Sequence, residues 1–118
     1  MKLVEFVNEK KATKPVVLEV KRLTNFCDYF VICSADNTMH VRAIYDWVLH
    51  CCHQEAIPVH HYEADQESRW MLIDFFDVVL HVFLDETRAY YNLEYLWSEA
   101  KRVRPSRKKR LQNSSTIK

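Results

Sequence analysis

The chain has 118 residues, 48% of them apolar and 28% charged, enough for one domain with one core, since a chain of this length buries roughly two-thirds of its unfolded surface. It contains no glycine, which excludes the phosphate-cradling loops that need close backbone approach, and with them kinase, Rossmann and P-loop readings. Net charge is +1, and no run reaches the roughly 18 apolar residues of a membrane span, so no membrane partner is expected.

In chain order, Leu3, Phe6 and Val7 share one helical face near the N-terminus. Pro15 punctuates, and "VVLEVKRL" reads as a strand beginning just after it. "CDYFVICSA" is a second strand, with the continuous apolar centre of one covered on both faces. Asn37 or Thr38 then caps the clearest helix, in which Val41, Ile44, Tyr45, Val48 and Cys52 recur at helical spacing until Ala56, before Pro58.

"PVHHYE" is a short third strand, and "EADQES" an exposed loop. "RWMLIDF" and "DVVLHVFL" form a hairpin turning around Phe76. Along the second of these, Val78, Leu80 and Val82 face a core. Val79, His81 and Phe83 face a helix-covered or partner-facing side. The last helix spans Arg88 to Tyr91 and then Leu93, Leu96, Trp97 and Ala100, which read as one core stripe; Asp85 and Glu86 stand at its positive end. Arg88 and Glu94 are placed to pair. The order predicts an α/β domain over residues 1–100, a small mixed sheet of about five strands with packed helices. Residues 101–118 form a basic tail that does not fold on its own.

Charge is divided along the chain. Residues 1–100 hold 9 basic and 16 acidic side chains, and residues 101–118 hold 8 basic and none acidic. The basic tail suits phosphate, so Arg104, on the near side of Pro105, and Arg107, Lys108, Lys109 and Arg110 beyond it are candidates for nonspecific rRNA contact. Cys27, Cys33, Cys51 and Cys52 follow no secretory leader and read as reduced thiols of a cytoplasmic protein.

"DYFVICS", "HVRAIYDWV", Glu63, "WMLIDFFDVVLHVF" and "RAYYNLEYLW" together resemble the Iojap family, the ribosomal silencing factors. The specific part is the spacing of Trp70, Asp74, Asp77, His81, Arg88, Tyr91, Leu93, Glu94, Leu96 and Trp97. The resemblance implies a nucleotidyltransferase-like fold without catalysis. It also implies binding to ribosomal protein fourteen of the large ribosomal subunit, which blocks subunit association and represses translation under nutrient limitation. A large-subunit assembly factor using the same contact is the alternative; a nucleotide-handling enzyme is the rival class. The family usually carries glycine where this chain has Ala35, Ala64 and Phe76, so the hairpin at Phe76 is expected to take another turn type.

Catalysis would need a Gly-Ser phosphate turn and two strand carboxylates at alternate positions to hold Mg²⁺. The chain reads "CSADNT" there, and Asp74 and Asp77 are three apart, so no enzyme and no cofactor is expected. Zinc needs four ligands aimed at one point. In "HCCHQEAIPVHH", His50 and His53 share a helix face, Cys52 falls on the apolar stripe and His60 and His61 point to opposite sides, so no metal site is expected. Trp70, at a strand start, and Tyr91, at a helix break, fall in no core stripe and are candidate interface anchors. Trp70, Asp74, Phe75 and Tyr91 form the expected partner contact, with Glu63 and Asp77 at its rim. If the sheet edge from Val78 to Phe83 is unpaired, it offers a second copy a place to form a homodimer.

Overall fold

Asn37 lies in extended backbone (φ −147°, ψ 159°), and its side-chain oxygen accepts the His40 N–H at 2.8 Å. That bond satisfies one of the donors a helix start leaves unpaired. From it α2 runs Thr38–Gln54 and buries Val41, Ile44, Tyr45, Val48, Cys51 and Cys52. The computed structural model of the chain describes residues 1–103. Beside α2 lies α1 (Lys2–Glu9), which buries Leu3, Val4, Phe6 and Val7.

The strands are β1 (Thr13–Glu19), β2 (Tyr29–Ala35), β3 (His61–Ala64), β4 (Trp70–Asp74), β5 (Val78–Leu84) and β6 (Lys101–Val103). They form one sheet in the order β3-β4-β5-β2-β1-β6. β2 and β5 are parallel, with Val31 opposite Leu80, because α2 and the β3–β4 hairpin carry the chain back between them. The other pairings are antiparallel.

Strand alternation divides the core in two. Val31, Cys33, Leu80, Val82, Met71 and Ile73 face α1 and α2 in an aliphatic layer. Each such side chain contributes about 1.5–3 kcal/mol on leaving water. On the opposite face Leu18, Ile32 and Phe83 are buried under Leu93, Trp97 and Ala100. These last belong to the segment holding α3 (Asp85–Tyr91) and α4 (Leu93–Leu96).

Several expectations are corrected. The sheet has six strands among the described residues, because Lys101–Val103, assigned to the tail, pair with Val17–Glu19; an open edge of β1 is a ready template for backbone bonds. Arg104, Arg107, Lys108, Lys109 and Arg110 lie outside the described residues. The Val78–Phe83 stretch is no edge, since β5 is paired on both sides by β4 and β2, and that route to a homodimer is closed. Leu96 is 69% exposed rather than core. The helix breaks at Asn92 (φ 48°, ψ 56°), and the single turn that follows turns only Leu93 and Trp97, four residues apart, onto the sheet.

Arg88 holds this segment down. Its side chain is only 11% exposed and pairs with Glu94 at 2.9 Å across the Asn92 break. Its Nη1 donates to Ser34 Oγ at 3.0 Å and to the Thr13 carbonyl at 3.2 Å, and its Nη2 donates to the Lys14 carbonyl at 2.9 Å. Those carbonyls need a donor, because the β1–β2 register shifts between Thr13 and Val16 and Lys14 takes φ 47°. Hydrogen bonds to a charged group contribute about 1.5–3 kcal/mol each.

Without glycine, the chain uses other residues wherever the backbone turns left-handed. Phe76 takes φ 73°, and the Asp77 N–H bonds the Phe75 carbonyl at 3.0 Å, the pattern of the rarer, positive-φ γ-turn. The hairpin therefore keeps the conformation that suits glycine. It is held by Asp74 Oδ1, which accepts the Phe76 N–H at 2.8 Å, and by His60, whose ring stacks on Phe76 at 3.8 Å. Ala35 and Ala64 do not take positive φ, so a β-carbon there carries no such strain. Ala56, exposed just beyond α2, takes φ 55°. An Ala56→Gly change relieves its crowding without loss of packing, and the unfolded chain regains part of that as entropy. The expected net gain is about 0.5–1 kcal/mol in urea unfolding.

Candidate functional site

Trp70 opens β4 behind a loop ordered by one carboxylate. Asp65 accepts the backbone N–H groups of Glu67 at 3.3 Å and Arg69 at 3.2 Å. The Arg69 N–H in particular holds its carboxyl below the ordinary value. Alternation then sends Met71 and Ile73 into the helix-side core, and Trp70, Leu72 and Asp74 to the other face, opposite Phe83, His81 and Val79 of β5.

On that face the rings assemble. The Trp70 ring lies 4.8 Å from Phe83 and 4.8 Å from Tyr91, the last residue of α3. Its indole N–H donates to His81 Nδ1 at 3.1 Å. Tyr91 is 47% exposed and Tyr90, perpendicular to it, 82%. Trp70, Tyr90 and Tyr91, together with Asp65, Arg69, Leu84, Glu86 and Thr87, line an open groove of about 450 Å³. Arg69 is engaged by Asp65 and by Glu67, the latter at 2.7 Å, so Glu86 and the neighbouring Asp85 leave the groove acidic.

The expected contact residues do not all converge. Trp70 and Tyr91 meet. Glu63, on the exposed strand β3, stands opposite Leu72 and bonds His61 at 2.8 Å, on the Trp70 face but a strand away. Asp74, at the far end of β4, ties down the hairpin turn. Phe75 packs instead against the helix-side core, because it continues the alternation of Met71 and Ile73. Asp77 lies in the turn, where its carbonyl accepts the N–H groups of Asp28 at 2.7 Å and Tyr29 at 3.0 Å. Tyr90 and Leu84 were not singled out from the sequence. The Tyr90–Tyr91 doublet was the available signal, since two adjacent rings on a helix cannot both face one core.

The histidine-rich segment disperses. His50 stacks on Trp47, His60 on Phe76, and Cys51 and Cys52 enter the core. Among the described residues no three histidine, cysteine or carboxylate groups gather as a metal site. The four cysteines are buried, and burial pushes the Cys33 thiol up to about 12.

His81 is 6% exposed, with Phe30 perpendicular at 5.2 Å and Phe83 stacked at 6.0 Å. Burial among these rings lowers its pKa from 6.5 to about 4. Above pH 6.5 the residue is neutral in both folded and unfolded chains and adds no pH dependence. Below it the unfolded chain takes the proton first, so stability falls as pH falls toward 4. Between pH 7 and pH 4.5 the wild type is expected to lose about 2–3 kcal/mol more than His81→Phe in urea unfolding.

Comparisons with known proteins place the chain in a family. The family model described as "Ribosomal silencing factor during starvation" matches residues 1–118. The chain is 39% identical to the ribosomal silencing factor RsfS of Halalkalibacterium halodurans, over 85% of this chain and 86% of that one. It is 31% identical to the mouse "Mitochondrial assembly of ribosomal large subunit protein 1", over 81% of this chain and 43% of the mouse protein. A crystal structure of a Bacillus halodurans protein superposes with a TM-score of 0.76 at 37% identity, covering 87% of this chain and 93% of the other.

Proposed function

The chain belongs to the family of ribosomal silencing factors that act during starvation, and from that premise we propose that it binds the large ribosomal subunit in the cytoplasm. Through ribosomal protein fourteen it blocks association with the small subunit and so represses translation when nutrients fail. The role needs neither catalysis nor a cofactor.

The observation that carries the contact surface is the pair of partly exposed rings, Trp70 and Tyr91, 4.8 Å apart at the mouth of an acidic groove. Large rings with few rotors are the usual anchors of protein interfaces. An acidic rim at Glu86 and Asp85, with Glu63 farther along the same side of the sheet, suits a basic ribosomal protein through steering and register. Arg104, Arg107, Lys108, Lys109 and Arg110 add nonspecific contact with rRNA phosphates. A second reading is favoured by the mouse relative, whose name gives it a part in large-subunit assembly; the same contact serves either role.

Co-sedimentation with isolated large subunits, followed by light scattering on adding small subunits, tests this. Wild type is expected to pellet with large subunits and suppress joining. Tyr91→Ala should weaken binding roughly 30-fold, the loss of about 2 kcal/mol typical of an interface anchor. Trp70→Ala should do at least as much, once circular dichroism shows it folded. Failure of the wild type to pellet rejects the reading, and binding without suppression leaves the assembly role. Deleting residues 104–118 should flatten the salt dependence of binding; an unchanged slope rejects the tail contact.

A further inference from the structure

His81 occupies a place that an apolar ring would fill without penalty. Its Nδ1 accepts the Trp70 indole proton at 3.1 Å, so the ring's own hydrogen sits on Nε2. That nitrogen is buried and has no hydrogen-bond partner, alone in this among the side chains of the described residues. An unpaired buried N–H is destabilising, and phenylalanine would pack between Phe30 and Phe83 without it. What histidine supplies beyond phenylalanine is one acceptor, and Trp70 takes it. The other contacts of the indole, to Phe83 and Tyr91, are between ring surfaces and let it slide or turn over. The hydrogen bond is directional and decides which edge points inward.

We infer that His81 is a positioning residue for the partner contact: it holds the Trp70 indole N–H edge inward, so that the ring meets its partner in one preset orientation beside Tyr91. This rests on the reading that the Trp70–Tyr91 surface meets the large subunit. A ring held before binding loses less freedom on binding. With its N–H satisfied inside the protein, Trp70 offers only ring carbon outward. The partner therefore presents an apolar pocket to the indole and needs no acceptor there, while basic groups around that pocket face Glu86 and Asp85.

Two variants of the full chain separate positioning from packing. His81→Phe keeps a ring and removes the acceptor; His81→Asn gives up the ring but sets an amide oxygen close to where Nδ1 lies. The readouts are solvent exchange of the Trp70 indole proton by NMR, assigned with Trp70→Phe, and affinity for isolated large subunits. His81→Phe is expected to match or exceed the wild-type urea midpoint, exchange its indole proton faster and bind about tenfold more weakly. His81→Asn is expected to unfold at lower urea yet keep the slow exchange and bind within about threefold of wild type. Stability and affinity moving in opposite directions is the signature of positioning. Wild-type affinity in His81→Phe, or an equal loss in both variants, overturns the inference alone. Failure of the wild type to bind large subunits overturns the ribosome reading and this inference with it.

Discussion

The guanidinium of Arg88 ties three parts of the molecule together through hydrogen bonds on the aromatic face of the sheet. It touches β2 through Ser34, the irregular start of β1 through two carbonyls, and the final turn of helix through Glu94. A planar, permanently charged fork can serve all of these at once; the single point charge of lysine cannot. Because α3 and α4 are only 7 and 4 residues long, neither would be stable by itself, and both depend on tertiary anchoring. With Arg88 in place the chain lies down across β5 and β2. Leu93 and Trp97 then close over the aromatic layer, and Tyr91 comes to rest against Trp70.

The two faces of the sheet are built for different ends. The helix-side layer is aliphatic and dry, assembled from alternate positions of β2, β4 and β5 under α1 and α2. The other layer is aromatic and carries polar atoms where an apolar core would have none: the His81 imidazole, the Trp70 indole N–H and the Ser34 hydroxyl. Each adds a directional bond, and the unpaired Nε2 of His81 is the cost. Rigid rings with fixed edges are what a preformed contact surface requires.

The missing glycines belong to the same balance. Lys11, Lys14, Ala56, Ser68, Phe76 and Asn92 all take positive φ, and each bears crowding that glycine would avoid. Local bonds hold several of them. Lys11 closes α1 through its N–H to the Asn8 carbonyl, and Phe76 is held by Asp74 and by its stack on His60. The chain thus carries crowding at its turns that glycine would relieve, and it exposes the Phe76 ring at the hairpin tip.

Period and capping were legible in the sequence because they are local. Of the two cap candidates, Asn37 and Thr38, the structure uses Asn37, and the stripe from Val41 to Cys52 and the double-sided apolar run of β2 depend on near neighbours and appear in the structure as read. So was the family, since the spacing of Trp70, Arg88, Tyr91 and Trp97 is a property of the chain itself. Other features depend on what lies across space, and only the tertiary structure decided them. No local signal says that Lys101–Val103 would pair with β1, that β5 would be interior, or that Leu96 would face water once the helix broke at Asn92. Phe75 and Trp70 look alike as candidate anchors along the chain. Strand alternation places one under the helices and the other beside Tyr91, and that difference exists only when both faces of the sheet have been covered.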